Sequence, residues 1–223
     1  MGRLKKVLGI DEAGRGPVVG PMIICGYLID EKKIPKLWEW GVKDSKLLTK
    51  KKREELSPLL EGIAEDFIIV KIDAHEIDKL RTKANLNMIE IEKMQTIINS
   101  LNPDKVIIDA CESNTQKFKE KILSGINKKT EIICENFADR KYPVVGAASI
   151  LAKVYRDNEI LELRKLGFSG SGYPSDPKTI AFLKKWLKKN KNYPNFVRKS
   201  WFTAQYLKEQ EEQSKLNDFA LDK

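Results

Sequence analysis

The sequence predicts an α/β fold in which a mixed sheet is flanked by helices. From residue 66 onward, apolar β-compatible runs alternate with amphipathic segments, a pattern typical of parallel strands joined by crossover helices. The two apolar runs that precede this section are joined by a short link, which favours antiparallel pairing. With 223 residues, 41% of them hydrophobic, the chain can bury a sizeable core.

Each element follows from a local pattern. Apolar runs predict five strands, at 6–11, 21–29, 66–72, 105–110 and 131–134. Helical periodicity and capping residues predict six helices, at 49–60 (with Thr49 as N-cap), 85–101, 115–123, 144–166, 177–189 and 201–213. A glycine-rich loop spans 167–176, and the polar end from residue 213 is expected to be loose.

Composition excludes several classes of protein. The three cysteines are far apart and show no zinc spacing, so we expect reduced thiols and a cytoplasmic protein. The single histidine, His75, has no companion ligands, which leaves carboxylates as the main catalytic candidates. No run approaches the ~18 apolar residues of a membrane span, and no secretory leader is evident. Nothing in the sequence requires more than a monomer.

The positive charge is concentrated near the C-terminus. The net charge is +9, and the segment Lys178–Lys199 holds eight Lys or Arg residues and no Asp or Glu. Because Trp186, Tyr193 and Phe196 are interleaved with these cations, this basic segment is typical of a nucleic-acid face. A solvated lysine-rich surface, in a chain with 33% charged residues, is an equally balanced alternative.

Four carboxylates follow or end predicted strands. Asp11, Glu12 and Asp109 lie at strand ends, and Asp139 follows the fifth strand by a few residues. Ligands of such sheets gather at the carboxyl ends of the strands. Successive strand residues face opposite sides, so Asp11 and Glu12 share a site only if the strand ends or bulges there. Hard oxygen donors favour Mg²⁺ or Mn²⁺, although each aspartate could also be a local turn or cap residue.

Four further regions are candidates for ligand contacts. The loop Gly14-Arg15-Gly16 directly follows the first carboxylates, and glycines let the backbone N–H groups approach an anion.

Ser149, Lys153 and Arg156 have the spacing of one helix face and could bind phosphate, although an ordinary polar face would look the same. Lys46 lies in a polar cluster that is equally consistent with a solvated helix start. Tyr173 is held between Gly172 and Pro174, so its ring has a restricted backbone.

Five stretches resemble the ribonuclease HII (type 2 ribonuclease H) family, in particular its archaeal branch. In family order they are GIDEAGRGPVVGP, VKDSKLLT, VIIDA, ADRKYPVVGAASILAKVYRD and GSGYPSDP. The resemblance implies a ribonuclease H-like sheet, with the first three strands antiparallel and the next two parallel, and a helical C-terminal part. It implies a two-metal endonuclease that uses Mg²⁺ or Mn²⁺. Such an enzyme hydrolyses the RNA strand of RNA–DNA hybrids and cuts 5′ of ribonucleotides in duplex DNA, leaving 3′-hydroxyl and 5′-phosphate ends.

The resemblance also implies roles for individual residues. The catalytic and metal-binding carboxylates would be Asp11, Glu12, Asp109 and Asp139. The substrate contacts would be Gly14, Arg15, Gly16, Lys46, Ser149, Lys153, Arg156 and Tyr173. The chain departs from the family pattern at Arg140, where relatives often carry a small residue. The implied organisation is a catalytic core at 1–166, a helical substrate-binding part at 167–208 and a flexible tail at 209–223.

The end of the chain resembles the PIP box, which docks on the sliding clamp (PCNA). Gln213, Leu216 and Phe219 have its spacing, whereas Ala220 stands where a second aromatic is usual. A polar tail with a few apolar residues is the alternative.

Three other functions compete with the ribonuclease. A non-catalytic basic nucleic-acid-binding module would not need four carboxylates, which repel phosphate in the absence of metal. A junction resolvase or transposase core would not need the Gly-Arg-Gly loop with Tyr173. A phosphate-binding metabolic enzyme would leave the basic segment unexplained.

Overall fold

The computed structural model describes the backbone of residues 5–42 and 45–221, and the side chains of these residues as far as 214. The side chains of Leu216 and Phe219, two of the three expected clamp contacts, lie outside this part of the chain. Among the described residues, no helix combines the length and the apolar character that crossing a bilayer needs.

A five-stranded mixed sheet organises the chain. Its strands are β1 (Lys6–Ala13), β2 (Met22–Asp30), β3 (Asp66–Ile72), β4 (Lys105–Asp109) and β5 (Glu131–Glu135). Their order across the sheet is β3-β2-β1-β4-β5. β1 pairs with β2 antiparallel and with β4 parallel, and β4 pairs with β5 parallel. The predicted mixed sheet flanked by helices is confirmed.

The helices occupy the connections and the C-terminal part. They are α1 (Ile34–Glu39), α2 (Lys50–Ile63), α3 (Ala74–Leu80), α4 (Leu86–Leu101), α5 (Thr115–Leu123), α6 (Ala138–Lys141), α7 (Pro143–Lys165), α8 (Pro177–Lys189) and α9 (Phe202–Leu221). The predicted cap of α2 is confirmed, because the Thr49 hydroxyl accepts a hydrogen bond from Lys52 N at 3.2 Å. The short helices α1, α3 and α6 were not predicted.

Two elements end later than the sequence predicts. β1 continues to Ala13 in regular register with β2, which pairs Asp11 with Cys25 and Glu12 with Ile24. The predicted end of β1 at Asp11 is therefore wrong, and the two adjacent carboxylates lie inside the strand on opposite faces of the sheet. The backbone of α9 stays helical to Leu221, where a loose end was expected from Gln213.

Two glycines show which helix covers each face of the sheet. A Cβ atom added to Gly9 in β1 would collide with the main chain of Val144 in α7. A Cβ atom added to Gly26 in β2 would collide with Ile97 in α4. Because Gly26 pairs with Ile10, the neighbour of Gly9, the two glycines face opposite sides. α7 thus lies on the face that bears Asp11.

The chain divides into two compact units. One consists of Met1–Ala13, Ile23–Lys71 and Asn85–Arg156, and the other of Gly14–Met22, Ile72–Ala84 and Asp157–Lys223. The first unit contains most of the sheet and a core between α2, α7 and the Asp11 face. The second has its own core, in which Phe168 and Phe182 meet edge to face at 5.1 Å. The domain boundaries expected at 166 and 208 stay predictions.

Replacing Tyr27 with Phe should lower the free energy of unfolding by about 1 kcal/mol, the usual net contribution of one buried hydrogen bond. The Tyr27 hydroxyl is buried and donates to the main-chain oxygen of Leu60 at 2.8 Å. Urea unfolding measures the change, and Tyr206→Phe, at a side chain that is 48% exposed, is the control. Equal stability of the two variants would contradict this role for the Tyr27 hydroxyl.

Candidate metal centre and ribose-contacting loop

Three of the four predicted carboxylates form one cluster. Asp11, Asp109 and Asp139 each place a carboxylate oxygen within 4.8 Å of the others, and this is the only group of potential metal ligands among the described residues. Asp11 and Asp139 are buried, and Asp109 is half-buried. The structure therefore brings together side chains that are far apart in the sequence.

Parallel pairing places the first two aspartates side by side. β1 and β4 run in register through Ile10 and Ile108, so Asp11 and Asp109 are the next residues of adjacent parallel strands. Asp109 is the last residue of β4, whereas Asp11 is followed by two further strand residues.

The short helix α6 carries the third aspartate and is tied to β4 and β5. The N–H of Ala138 donates to Oδ1 of Asp109 at 3.0 Å. Beyond Asp139, Lys141 Nζ and the Tyr142 hydroxyl bind the carboxylate of Glu135 in β5, at 2.7 and 2.9 Å. Asp139 is thus held by main-chain and side-chain contacts of its neighbours.

The entry to α6 has an unusual backbone. Phe137 adopts a left-handed conformation, with φ 59° and ψ 33°, which side chains other than glycine seldom adopt. Arg140, where the chain departs from the family pattern, has its guanidinium 4.9 Å from the centre of the Phe137 ring. Arg140 therefore contacts the residue that starts α6.

Electrostatics make the cluster a good receptor for a cation. Burial, together with the neighbouring charges of Asp109 and Asp139, raises the pKa of Asp11 to about 8. Hydrogen bonds from Ser149 and from Glu12 N oppose this shift without cancelling it. The carboxylate oxygens of the three aspartates are hard donors that fit Mg²⁺ or Mn²⁺. A bound cation would relieve the repulsion between their negative charges.

Glu12 is not part of this cluster. It follows Asp11 in a regular strand and faces the other side of the sheet, and its main-chain N–H donates to Oδ1 of Asp11 at 2.7 Å. Its role as a fourth ligand stays a prediction.

Two predicted phosphate contacts on α7 are buried. Ser149 is 4% exposed; its hydroxyl bonds to Asp11 and lies 2.9 Å from the hydroxyl of buried Ser45. Arg156 is 2% exposed. Both side chains are buried, and their roles as phosphate contacts stay predictions. Lys153 is half-buried and Lys46 is exposed, so their phosphate contacts stay predictions. Ser45 was missed, since a serine in a polar cluster carries no signal of its own.

The loop Gly14–Gly16 is held through its carbonyl groups. The Arg198 guanidinium donates to Gly14 O at 2.6 Å and to Arg15 O at 2.9 Å, and Trp201 Nε1 donates to Gly16 O at 3.2 Å. Gly14 has φ 86°, a conformation that favours glycine. Neither Arg198 nor Trp201 was predicted to contact this loop.

Tyr173 lies beside the same loop. Its Cε1 atom is 3.7 Å from the position of a Cβ atom built on Gly16, and its side chain is 37% exposed. The preceding carbonyl, of Gly172, accepts from Val18 N and Val19 N at 2.8 and 3.2 Å. The structure thus places Tyr173 beside the Gly14–Gly16 loop.

Asp176 fixes the turn that carries Tyr173. Its carboxylate accepts from Ser171 N at 2.6 Å and from Lys178 N at 3.0 Å. These N–H groups, the Ser171 one foremost, and the hydroxyls of Ser171 and Thr179 lower the pKa of Asp176 to about 2. The turn therefore keeps its charged anchor throughout the neutral pH range.

Only some of the side chains of the basic segment are exposed. Its seven lysines are exposed, whereas Arg198 is fully buried. Tyr193 is buried in the core of the second unit, and Trp186 and Phe196 are half-buried against it. Their contact with nucleic acid stays a prediction.

Comparison with known proteins identifies the family. The family model described as ribonuclease HII matches residues 8–204. The chain belongs to the ribonuclease HII family. A ribonuclease HII of Methanococcus maripaludis is 47% identical over 218 residues, covering 95% of this chain and 91% of the relative.

Solved structures of related proteins also match this chain. The crystal structure of ribonuclease H2 from Pyrococcus horikoshii matches with a TM-score of 0.87 and 42% identity, covering 93% of this chain and 99% of that one. The structure of a PCNA:RNase HII complex from Archaeoglobus fulgidus matches with a TM-score of 0.81 and 35% identity, covering 87% and 94%. The fold is ribonuclease H-like, and the chain is a metal-dependent endonuclease that acts on RNA–DNA hybrids.

Proposed function

We propose that this ribonuclease HII hydrolyses the RNA strand of hybrids and also cuts 5′ of single ribonucleotides in duplex DNA, leaving 3′-hydroxyl and 5′-phosphate ends. The observation that carries the proposal is the cluster of Asp11, Asp109 and Asp139, whose oxygens lie within 4.8 Å of one another. Glu12 is the proposed fourth carboxylate. Mg²⁺ or Mn²⁺ is the proposed metal, because the donors are hard oxygens.

The aspartates supply the charge that retains the metal. A divalent cation bound there, or a pair of them, would polarise the scissile phosphate and acidify an attacking water. Asp11, whose pKa is raised to about 8 by burial and like charges, would hold the cation as a carboxylate, because bound positive charge would favour its ionised form. Ser149 holds the carboxylate of Asp11 in place through its hydroxyl.

The Gly14–Gly16 loop and Tyr173 are the proposed readers of the ribose. Main-chain N–H groups of the loop would bind the 2′-hydroxyl, which distinguishes RNA from DNA. Tyr173 lies against Gly16 and would pack on the sugar. Lys46 and Lys153 are the proposed phosphate contacts; positively charged side chains there would set the register of the duplex.

A labelled DNA duplex with one ribonucleotide tests the proposal, beside an all-DNA duplex and an RNA–DNA hybrid, each with Mg²⁺, Mn²⁺ or EDTA. We expect a metal-dependent cut 5′ of the ribonucleotide and no cut in all-DNA. Binding of all three duplexes without cleavage in either metal would instead support a non-catalytic nucleic-acid-binding protein.

Tyr173→Ala should lower kcat/KM on the single-ribonucleotide duplex by about 10-fold to 100-fold, because aromatic contacts to nucleotides contribute ~1–3 kcal/mol. Tyr173→Phe keeps the ring and should retain most of the activity. Steady-state cleavage assays measure both variants. If Tyr173→Phe loses as much as Tyr173→Ala, the hydroxyl and not ring packing is the relevant group.

A sliding clamp is a proposed partner. The Archaeoglobus fulgidus relative was solved in a PCNA:RNase HII complex, and Gln213, Leu216 and Phe219 have the spacing of a clamp-binding motif. Titration of the full-length protein against an archaeal clamp tests this, with Phe219→Ala as the matched variant. Equal affinity of the two proteins would reject these contacts.

The proposed compartment is the cytoplasm, where the free cysteines Cys25, Cys111 and Cys134 would stay reduced.

A further inference from the structure

We infer that Arg198 and Trp201 are positioning residues for the Gly14–Gly16 loop, and through it determinants of ribonucleotide specificity. The inference rests on the proposed function of the loop and deepens it, because it names the side chains that hold the loop in its reading conformation. Arg198 belongs to the basic segment by sequence, but its charge is directed at the protein's own main chain.

Arg198 is a buried cation that donates three hydrogen bonds to one stretch of backbone. It is 0% exposed, and its Nη2, Nη1 and Nε atoms donate to the carbonyl oxygens of Gly14, Arg15 and Gly20 at 2.6, 2.9 and 3.0 Å. A buried guanidinium is tolerated only where its N–H groups find acceptors. Its planar fork therefore fixes the directions of these carbonyls more rigidly than a lysine could.

Trp201 holds the remaining carbonyl of the loop. Its indole N–H donates to Gly16 O at 3.2 Å, and the guanidinium groups of Arg198 and Arg81 both lie 4.8 Å from its ring centre. Arg81 is itself anchored, since its Nη1 donates to Ser200 O at 3.2 Å. The indole is thus packed by two cations, one of which also binds the loop.

Holding the carbonyls also sets the direction of the N–H groups. In a planar trans peptide the C=O and the following N–H point in opposite directions, and the described backbone contains no cis peptide. Because Gly14 O and Arg15 O point at Arg198, the N–H groups of Arg15 and Gly16 point to the other side of the loop. Two adjacent N–H groups directed to one side suit a hydroxyl oxygen as acceptor. Tyr173 lies against Gly16 of this loop.

The alternative roles for these residues give different results in a binding experiment. A phosphate contact would strengthen binding to every duplex alike, since the backbone carries no information about the sugar at one position. A positioning residue would act on the ribose alone. The informative quantity is therefore the ratio of the Kd for an all-DNA duplex to the Kd for the same duplex with one ribonucleotide.

Fluorescence anisotropy with both duplexes measures this ratio in the full-length protein. Asp109→Asn serves as the common background, so that cleavage does not interfere. Trp201→Phe keeps a packed aromatic ring and removes the indole N–H that binds Gly16 O. Arg198→Lys keeps the positive charge and removes the planar guanidinium that binds several carbonyl groups. We expect each to lower the ratio about tenfold, the effect of one or two misplaced hydrogen bonds, with the Kd for all-DNA changed less than about twofold.

Lys199→Gln is the matched control, because Lys199 is the exposed cation next to Arg198. It should raise both Kd values by the same factor and leave the ratio unchanged. Thermal unfolding identifies a variant that fails to fold; if Arg198→Lys does not fold, Trp201→Phe decides alone.

Two results would overturn the inference, and they have different meanings. A folded Trp201→Phe or Arg198→Lys variant could keep the Kd ratio of the parent, or could change both Kd values equally, as Lys199→Gln does. Either result would show that Arg198 and Trp201 do not position the loop, and the proposed function of the loop would stand. If the parent itself binds both duplexes equally, the proposed ribose reading fails, and the inference fails with it.

Discussion

We expect Asp109→Asn to lose at least about 1,000-fold in metal-dependent cleavage and to keep its fold, because one charge of a preorganised electrostatic site is removed. The loss follows because Asp109 is one of three aspartates with oxygens within 4.8 Å of one another. The fold survives because an asparagine retains the Oδ1 acceptor that binds Ala138 N at 3.0 Å and so still holds α6 against β4.

Single-turnover cleavage of the ribonucleotide duplex measures the loss, and thermal unfolding in EDTA checks the fold. Glu131→Gln is the matched control, since it also replaces a carboxylate by an amide in the sheet, at the exposed start of β5. It should cleave at the wild-type rate. Wild-type turnover by Asp109→Asn would remove the aspartate cluster from the mechanism.

We expect Asp11→Asn to raise the free energy of unfolding of the metal-free protein. The pKa of Asp11 rises from 3.8 to about 8 on folding, mainly because the carboxyl is buried. Between these pH values the folded protein holds a proton that the unfolded chain has released. Its free energy of unfolding therefore falls as the pH rises towards 8, and a neutral side chain escapes this loss.

We expect Asp11→Asn to be more stable than wild type by about 5 kcal/mol at pH 8 and by about 2 kcal/mol at pH 5, given ~1.4 kcal/mol for each pH unit above the unfolded-state pKa. Urea unfolding in EDTA at the two pH values measures the difference. Asp66→Asn, at an exposed position of β3, keeps Asp11 and should lose stability between pH 5 and pH 8 as wild type does. Mn²⁺ should then stabilise wild type strongly and Asp11→Asn weakly. A wild-type protein whose stability does not change between pH 5 and pH 8 would contradict the raised pKa.

The sequence was informative about the sheet because strands and crossover helices leave strong periodic signals. It was less informative about where β1 ends. Asp11 and Glu12 break the apolar run, which predicts a strand end, but pairing of Glu12 with Ile24 and of Ala13 with Ile23 carries the ladder on. Strand ends depend on the partner strand, and the local sequence does not encode that partner.

Side-chain periodicity has a similar limit. The spacing of Ser149, Lys153 and Arg156 correctly indicates a shared stretch of α7, but it does not reveal what covers that stretch. Ser149 bonds to Asp11, and Arg156 is buried. The aspartates were easier to predict because parallel strands bring their carboxyl ends to one edge, a rule of topology that needs no knowledge of packing.

The number of charged residues in a segment does not show which of their side chains are buried and which are exposed. Arg198 and Lys199 are adjacent cations of the basic segment, yet Arg198 is fully buried and Lys199 is exposed. The difference arises because three main-chain carbonyls converge on position 198. Those acceptors lie about 180 residues earlier in the chain, beyond the reach of any local pattern.

This separation has a consequence for the order in which the protein matures on the ribosome. The bond between Arg198 and Gly14 spans 184 positions, and closing so long a loop must await nearly complete translation. The last of the three aspartates, Asp139, is translated 59 residues before Arg198, a few seconds earlier at ~5–20 residues per second. A nascent chain thus contains every aspartate of the cluster before Arg198 can restrain the loop that is proposed to examine the sugar.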